Sequence, residues 1–478
     1  MNANYTPLSE IAAIHGSLQR TFRRGVTKPL SWRRQQLLQL ARFVKENADA
    51  LAECLYHDLG KPKQEVMMLE VGSSVQRILS AAENFEKWAQ PNLVNPSQPW
   101  QQAWNPRVEK SPKGIVLIIS PWNFPVLLTM IPLCGAIAAG CCALIKPSEI
   151  TPTVSAFLAK TLSKYLDLNA YRFVLGGIPE MTEVLQLRWD HISYTGNSRV
   201  ARIIAAAAAK HLTPVTLELG GKSPVIVDST ADLLISVKRI LWSKLNAAGQ
   251  ICVASDYVLV EKSVMPNFLE ACKEALAMFF PNIGGALKSD SYSRIVSDLH
   301  FKRLKDLLVE TTGKTVVGGN WNEQQRQIEP TIVVDVEPGD VLMNQEIFGP
   351  ILPVIAVEDI NEAIEYLNTR NESPLVIYIF SQNEENKKKI IANTTSGAVA
   401  INDTFMQVAI EELPFGGVGE SGHGRIFGKR TFDNFVYERS ITDTPYGDEE
   451  VLAGRYPPYQ KECPEIVKSI LEYSIPDV

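Results

Sequence analysis

The chain has 478 residues, 45% of them hydrophobic and 21% charged, with a formal net charge of −6. That length divides into two or three lobes rather than one core, the composition is that of a globular protein, and the acidic balance argues against a nucleic-acid binder. Seven cysteines, at positions 54, 134, 141, 142, 252, 272 and 463, form no C-x-x-C pair and have no histidines at zinc spacing. Reduced thiols in a cytoplasmic compartment are therefore expected.

The first 90 residues read as helices. Leu37, Leu38, Leu40, Ala41 and Val44 recur at helical spacing between Ser31 and Ala48, and the N-terminus has no apolar run of the kind that marks a signal peptide. Residues 91–109 are rich in proline and tryptophan and read as an extended bridge. Strands and helices then alternate. Strands are expected at Gly114–Ser120, Cys142–Lys146, Phe173–Gly177 and His191–Gly196. Helices are expected at 126–140, 152–166, Met181–Leu187 and Ser198–His211.

From Val126 to Ile145 there are 20 residues without a charge, enough to span a bilayer. Pro132, Gly135 and Gly140 divide the run, and Lys146 ends it. A buried helix leading into a buried strand is the better reading. After Pro224 the rhythm resumes, with strands expected at Val225–Asp228, Tyr257–Glu261, Ile332–Val336, Leu375–Ser381 and Ala398–Asn402. The expected fold is α/β: two lobes built on mostly parallel sheets, breaking near 219–223. The tail, 441–478, is polar and shows no membrane anchor.

Several short segments carry polar groups at strand ends. Lys146 and Glu149, in Lys-Pro-Ser-Glu, can hold ribose hydroxyls, since ligands of open α/β sheets bind at carboxyl ends of strands; as isolated residues they read equally as a solvated turn. Gly196 and Ser198 end a strand and open a helix, where backbone amides can meet a phosphate or simply be capped by Asn197. Asn123 is held between Pro121 and Pro125 and can offer its amide to an oxyanion, or serve only a turn. Glu346 and Phe348 flank a Gly-Pro turn. Glu218 leads into Gly220-Gly221 and can act as a base. Cys252 sits in an uncharged turn of small residues, suited to covalent attack on a carbonyl; alone it reads as one more buried cysteine. Gly417–Gly422 matches G-x-G-x-x-G but does not follow a strand, so it is not taken as a phosphate loop.

In order, PWNFP (121–125), KPSE (146–149), TGNS (195–198), ELGGKSP (218–224), GQIC (249–252), EIFGP (346–350) and PFGG (414–417) resemble the aldehyde dehydrogenase superfamily over nearly the whole chain. The closer resemblance is to its class 3 and fatty aldehyde branch. It implies two Rossmann-like lobes with a small β bridging and oligomerisation element. The cofactor-binding lobe would be 1–90 and 110–219, and the catalytic lobe 220–425. Residues 91–109 and 426–447 would bridge subunits, and 448–478 would be a tail.

The resemblance implies that Cys252 is the nucleophile, Glu218 the base and Asn123 an oxyanion donor. Ser120, Trp122, Lys146, Glu149, Gly196, Ser198, Glu346 and Phe348 would hold the cofactor, NAD in the first place with NADP also allowed. The expected reaction is oxidation of an apolar aldehyde to its acid by a cytoplasmic homodimer. A CoA-acylating dehydrogenase and a catalytically idle relative are the alternatives; Glu218 disfavours the first, and intact Cys252, Glu218 and Asn123 disfavour the second. Three positions depart from the branch: Ala247 where relatives usually carry asparagine, Ser255 where they usually carry proline, and Phe427 where histidine is frequent. Leu127, Leu128, Met130, Phe405 and Met406 are candidates for an apolar substrate tunnel.

Overall fold

A computed structural model describes residues 5–370, 373–452, 455–459 and 475–476. Cys463 and most of the expected tail lie outside the described residues. Among those described, two parallel-rich sheets carry the fold. The first runs in the order Gly422–His423, Val215–Glu218, His191–Thr195, Ile115–Ile119, Cys142–Lys146, Tyr171–Phe173. The second runs Lys314–Val317, Thr331–Val334, Ile351–Val357, Tyr257–Glu261, Pro224–Val227, Val376–Phe380, Ala398–Ile401. Only the first strand named in each pairs antiparallel. The α/β expectation holds, with helices connecting most of the parallel strands, as parallel pairing requires a crossover.

The 20-residue uncharged run is the helix Leu127–Ala139 followed by the strand Cys142–Lys146. Its residues are buried almost throughout, and among the described residues no helix is long and apolar enough to cross a membrane.

One strand and one helix fall elsewhere than expected. The strand at the edge of the first sheet is Tyr171–Phe173, not Phe173–Gly177, and the helix begins at Ile178 rather than Met181. Gly177 caps that helix, and the Glu180 carboxylate accepts its N–H at 2.8 Å. Pro179 then fits the first turn, where a missing N–H costs nothing. The glycines thus belong to a helix start. The G-x-G-x-x-G stretch becomes a 3-10 turn, Gly419–Ser421, and a two-residue strand, Gly422–His423. That strand adds to the edge of the first sheet, although sequence reading grouped 220–425 with the other lobe.

Residues Met1–Trp88 and Pro112–Tyr437 form one compact unit, and Ala89–Ser111 with Glu438–Val478 form another. Within the second, Asn92–Leu93 pairs antiparallel with Arg107–Pro112, and Lys110 bonds Glu438.

Candidate active site

The first sheet delivers its candidate residues at carboxyl strand ends. Ser120 follows Ile115–Ile119, and its N–H donates to the Lys146 carbonyl at 3.1 Å. Its hydroxyl is buried without a partner. Lys146 ends the neighbouring strand and pairs with Glu149 at 2.6 Å. Gly196 follows His191–Thr195, and its N–H donates to the Glu218 carbonyl at 3.0 Å. Asn197 caps the helix Ser198–Ala209 by accepting from the Val200 N–H at 2.9 Å. That cap leaves the first-turn amides of Ser198 and Arg199 without an acceptor inside the helix. Ser120, Lys146, Glu149, Gly196 and Ser198 therefore lie along one edge, where a dinucleotide sits in sheets of this kind.

Trp122 reaches the loop that carries the EIFGP motif. Its ring meets Phe348 edge-on at 5.4 Å and His300 at 5.1 Å. Phe348 has a left-handed backbone, φ 52°. The Glu346 carboxylate accepts the Gly221 N–H, and burial pushes its pKa up to about 8, with Asp256 adding to the rise. A Cβ on Gly220 would lie 2.2 Å from a Glu346 oxygen, so a larger residue there would displace that carboxylate. The loop is anchored by Asp256, which accepts the Ile347 N–H at 3.0 Å and pairs with buried Lys222 at 2.5 Å.

Cys252 leaves a strained turn. Ala247 and Ala248 are left-handed, with φ 47° and 52°, and Gly249 follows at 76°. A Cβ on Gly249 would lie 2.4 Å from the Gly349 carbonyl oxygen, so this glycine permits the close approach of the two loops. Left-handed alanine costs about 1–2 kcal/mol per residue. Side-chain hydrogen bonds hold the turn. The Ala247 N–H donates to Glu65 Oε2 at 3.0 Å, Gln250 Nε2 to the Ala247 carbonyl at 2.8 Å, and Asn246 Nδ2 to the Trp242 carbonyl at 2.8 Å. Ala247 is where relatives usually carry asparagine, which tolerates this conformation. Ala247→Gly is expected to stabilise the protein by about 0.5–1 kcal/mol, strain relief exceeding the added unfolded-state freedom; an unchanged or lowered thermal midpoint would show that the turn is not strained at this residue.

Cys252 is partly buried. Burial pushes its thiol up to about 12, and the Glu346 and Glu218 carboxylates add to the rise. Its own N–H and that of Val253 donate to the sulfur and oppose that rise. Asn123 is buried, and its Nδ2 donates to the Gln250 carbonyl at 3.0 Å, two residues before the thiol. An amide nitrogen has two hydrogens, so one remains to donate. Glu218 is only 4% exposed, and neither carboxylate oxygen has a hydrogen-bond partner. Burial raises its pKa well above the ordinary carboxylate value, with Arg425 opposing.

The other two departures are accommodated locally. Ser255 shares a 2.7 Å hydrogen bond with Ser243 in a buried pocket. Phe427 stacks on Phe415 at 5.2 Å, beneath the Arg77 guanidinium at 3.8 Å. Met130 and Phe405 belong to the buried core, while Leu127, Leu128 and Met406 keep accessible surface. Sequence reading missed Lys61, Glu65 and Glu70, whose charges look like those of any exposed helix. It also missed Lys244, a fully buried ammonium with no partner whose pKa burial lowers to about 8.

The model of the aldehyde dehydrogenase family matches residues 9–441. The chain is 41% identical to the rat "Aldehyde dehydrogenase, dimeric NADP-preferring", over 96% of this chain and all of that protein. It is 43% identical to mouse "Aldehyde dehydrogenase family 3 member A2", over 92% and 90%. A solved structure, the substrate-bound state of Staphylococcus aureus AldH, superposes with a TM-score of 0.88 at 37% identity, covering 93% of this chain and 99% of that one. The chain belongs to the aldehyde dehydrogenase family, in its class 3 branch.

Proposed function

We propose that Cys252, Asn123 and Glu218 carry the family's NAD(P)-dependent oxidation of an aldehyde to its carboxylic acid. The observation supporting this most directly is the convergence at Cys252: backbone N–H groups on the sulfur, the Asn123 amide bonded to Gln250, and Glu218 buried without a partner. The Cys252 thiol gives up its proton to solvent and the sulfur bonds to the carbonyl carbon, leaving a thiohemiacetal oxyanion. The second hydrogen of the Asn123 amide and the Cys252 N–H hold that oxyanion. Loss of hydride from the same carbon gives a thioester. Glu218, once ionised, takes a proton from water, the resulting hydroxyl attacks the thioester, the C–S bond breaks to release acid and thiolate, and Glu218 returns its proton to the sulfur.

The residues fit a dinucleotide. Lys146 and Glu149 would hold the adenosine ribose, Ser120, Gly196 and Ser198 the phosphates, Trp122, Glu346 and Phe348 the nicotinamide half. When bound it supplies the hydride acceptor. Glu149 favours a free 2′-hydroxyl, and its pairing with Lys146 softens repulsion of a 2′-phosphate, which supports NAD first with NADP accepted. Glu149→Gln is expected to shift the kcat/KM ratio toward NADP by about 3–10-fold, the scale of one partly solvated charge. An unchanged ratio would place cofactor discrimination elsewhere.

An apolar aldehyde is supported by Leu127 and Leu128, which directly follow the Asn123 turn. A homodimer is supported by the name of the rat relative and by the exposed apolar side chains of Leu93 and Tyr437. A cytoplasmic location is supported by the unpaired thiols Cys134, Cys141, Cys142 and Cys272. The test of the whole reading is incubation with NAD and a panel of aliphatic and aromatic aldehydes, following NADH absorbance and identifying the product. Free acid formed with stoichiometric NADH is expected. No turnover across the panel, or acyl-CoA formed in preference to acid, would overturn the assignment.

A further inference from the structure

Three charged side chains from one short segment reach both halves of the oxyanion site. The segment runs from Lys61 to Glu70, just after the left-handed Gly60 that closes the helix Ala48–Leu59. It begins as one helical turn, Lys63–Glu65, and widens into a π-helix, Val66–Gly72. A π-wound turn occurs often beside functional sites.

Lys61 is 1% exposed and Glu70 is fully buried. The Lys61 ammonium donates to the Asn123 carbonyl at 2.6 Å and to Glu70 Oε1 at 2.7 Å, and lies 3.7 Å from the Phe124 ring centre. The other Glu70 oxygen accepts the N–H groups of Val126 and Leu127 at 2.9 and 3.1 Å. One buried ion pair thus holds the Asn123 turn from both ends: the carbonyl of Asn123 itself, and the start of the helix behind it. Five residues before Glu70, Glu65 Oε2 takes the Ala247 N–H at the strained turn that presents Cys252. The two turns are joined directly by the Asn123 to Gln250 bond.

A buried ion pair is weak evidence for stability, because desolvation offsets its attraction. What this one does achieve is definition of place. We propose that Lys61, Glu65 and Glu70 are positioning residues that fix the Asn123 amide relative to the Cys252 backbone, setting the geometry of the oxyanion site. The proposal rests on the reading of Asn123 and Cys252 given above. A donor displaced by about 1 Å loses on the order of 10²-fold in rate.

The test is a mutant cycle on the full-length enzyme, read as the single-turnover rate of NADH formation at saturating NAD and aldehyde. Glu70→Gln keeps an acceptor for the helix amides and removes the charge that holds Lys61. It is expected to slow hydride transfer by about 10–100-fold in the wild-type background but by less than about 3-fold in an Asn123→Ala background, the non-additivity of groups acting through one contact. Losses that add in full would overturn the role.

Because a lone Lys61 charge can unfold the chain, Glu65 provides a second route. Glu65→Ala is expected to lose at least about 10-fold, and Glu65→Gln, which still accepts from Ala247, to stay within about 3-fold of wild type. Equal losses in both would overturn it. An Asn123→Ala enzyme at the wild-type rate would overturn the oxyanion reading and the positioning role with it. A slow Asn123→Ala beside unaffected Glu65 and Glu70 variants would overturn the positioning role alone.

Discussion

Cys252→Ala is expected to fold, to bind cofactor and to form no NADH from any aldehyde, a loss of at least about 10⁴-fold, as when a covalent nucleophile is removed. The substitution keeps Cβ and removes the sulfur. The N–H groups of residues 252 and 253, Asn123 and Glu218 all stay in place, so polarisation of the carbonyl survives and bond formation does not. Loss of one partly buried sulfur costs about 1 kcal/mol, so thermal midpoint and tryptophan fluorescence on cofactor addition should barely change. Stopped-flow absorbance at the NADH band decides the matter: a burst within tenfold of wild type would put the nucleophile elsewhere. Few other thiols compete for the role, since Cys134, Cys141, Cys142 and Cys272 are buried.

The same thiol fixes the direction of the pH response. Its pKa is pushed up to about 12 by burial and by the Glu346 and Glu218 carboxylates, Glu346 being the larger of the two. The thiolate fraction, and with it kcat/KM for aldehyde, rises with pH. Glu346 itself ionises near 8. Below that pH it is mostly neutral and places no charge beside the sulfur; above it, the carboxylate holds the thiol protonated. Glu346→Gln should therefore follow the wild-type profile below pH 8 and rise above it at higher pH, measured at saturating cofactor. Profiles that stay superimposed would show that Glu346 does not govern the thiol.

These groups were legible in the sequence to different degrees, for physical reasons. Cys252, Glu218 and Asn123 stand in turns whose neighbours are glycine, proline and alanine, so their chemistry is not hidden by ordinary packing residues. Alternating strands and helices are periodic, and the sheets followed. The strand expected at Phe173–Gly177 failed because Gly176-Gly177 reads as a strand end, while Pro179 and Glu180 make it a helix start. Lys61, Glu65 and Glu70 were illegible. Charges spread through a helical run imply a solvated face, and the π-turn that carries Glu70 has no sequence period of its own. The strain at Ala247 left one trace, a departure from asparagine whose meaning required the backbone angle.

Glu218→Gln is expected to separate the two halves of the reaction. Each active site should release about one equivalent of NADH quickly and then stall, because glutamine cannot take a proton from water. Loss of a general base costs about 10²–10⁴-fold in the step it serves. The resting carboxyl is buried and shifted toward its protonated form, so neutral glutamine copies it in shape and charge. Stability follows with a definite sign. A carboxyl whose folded pKa is raised contributes stability that is complete below its ordinary value of about 4.5 and is lost as pH rises through the folded value. Glutamine has no such loss, so the thermal midpoint of the variant should gain on wild type as pH rises above about 4.5. Product analysis after the burst should find acyl-enzyme, released by added hydroxylamine as the hydroxamate. A variant that turns over at the wild-type rate would remove Glu218 from deacylation. A variant with neither burst nor turnover would assign it to the first half as well, as the base that draws the proton from Cys252.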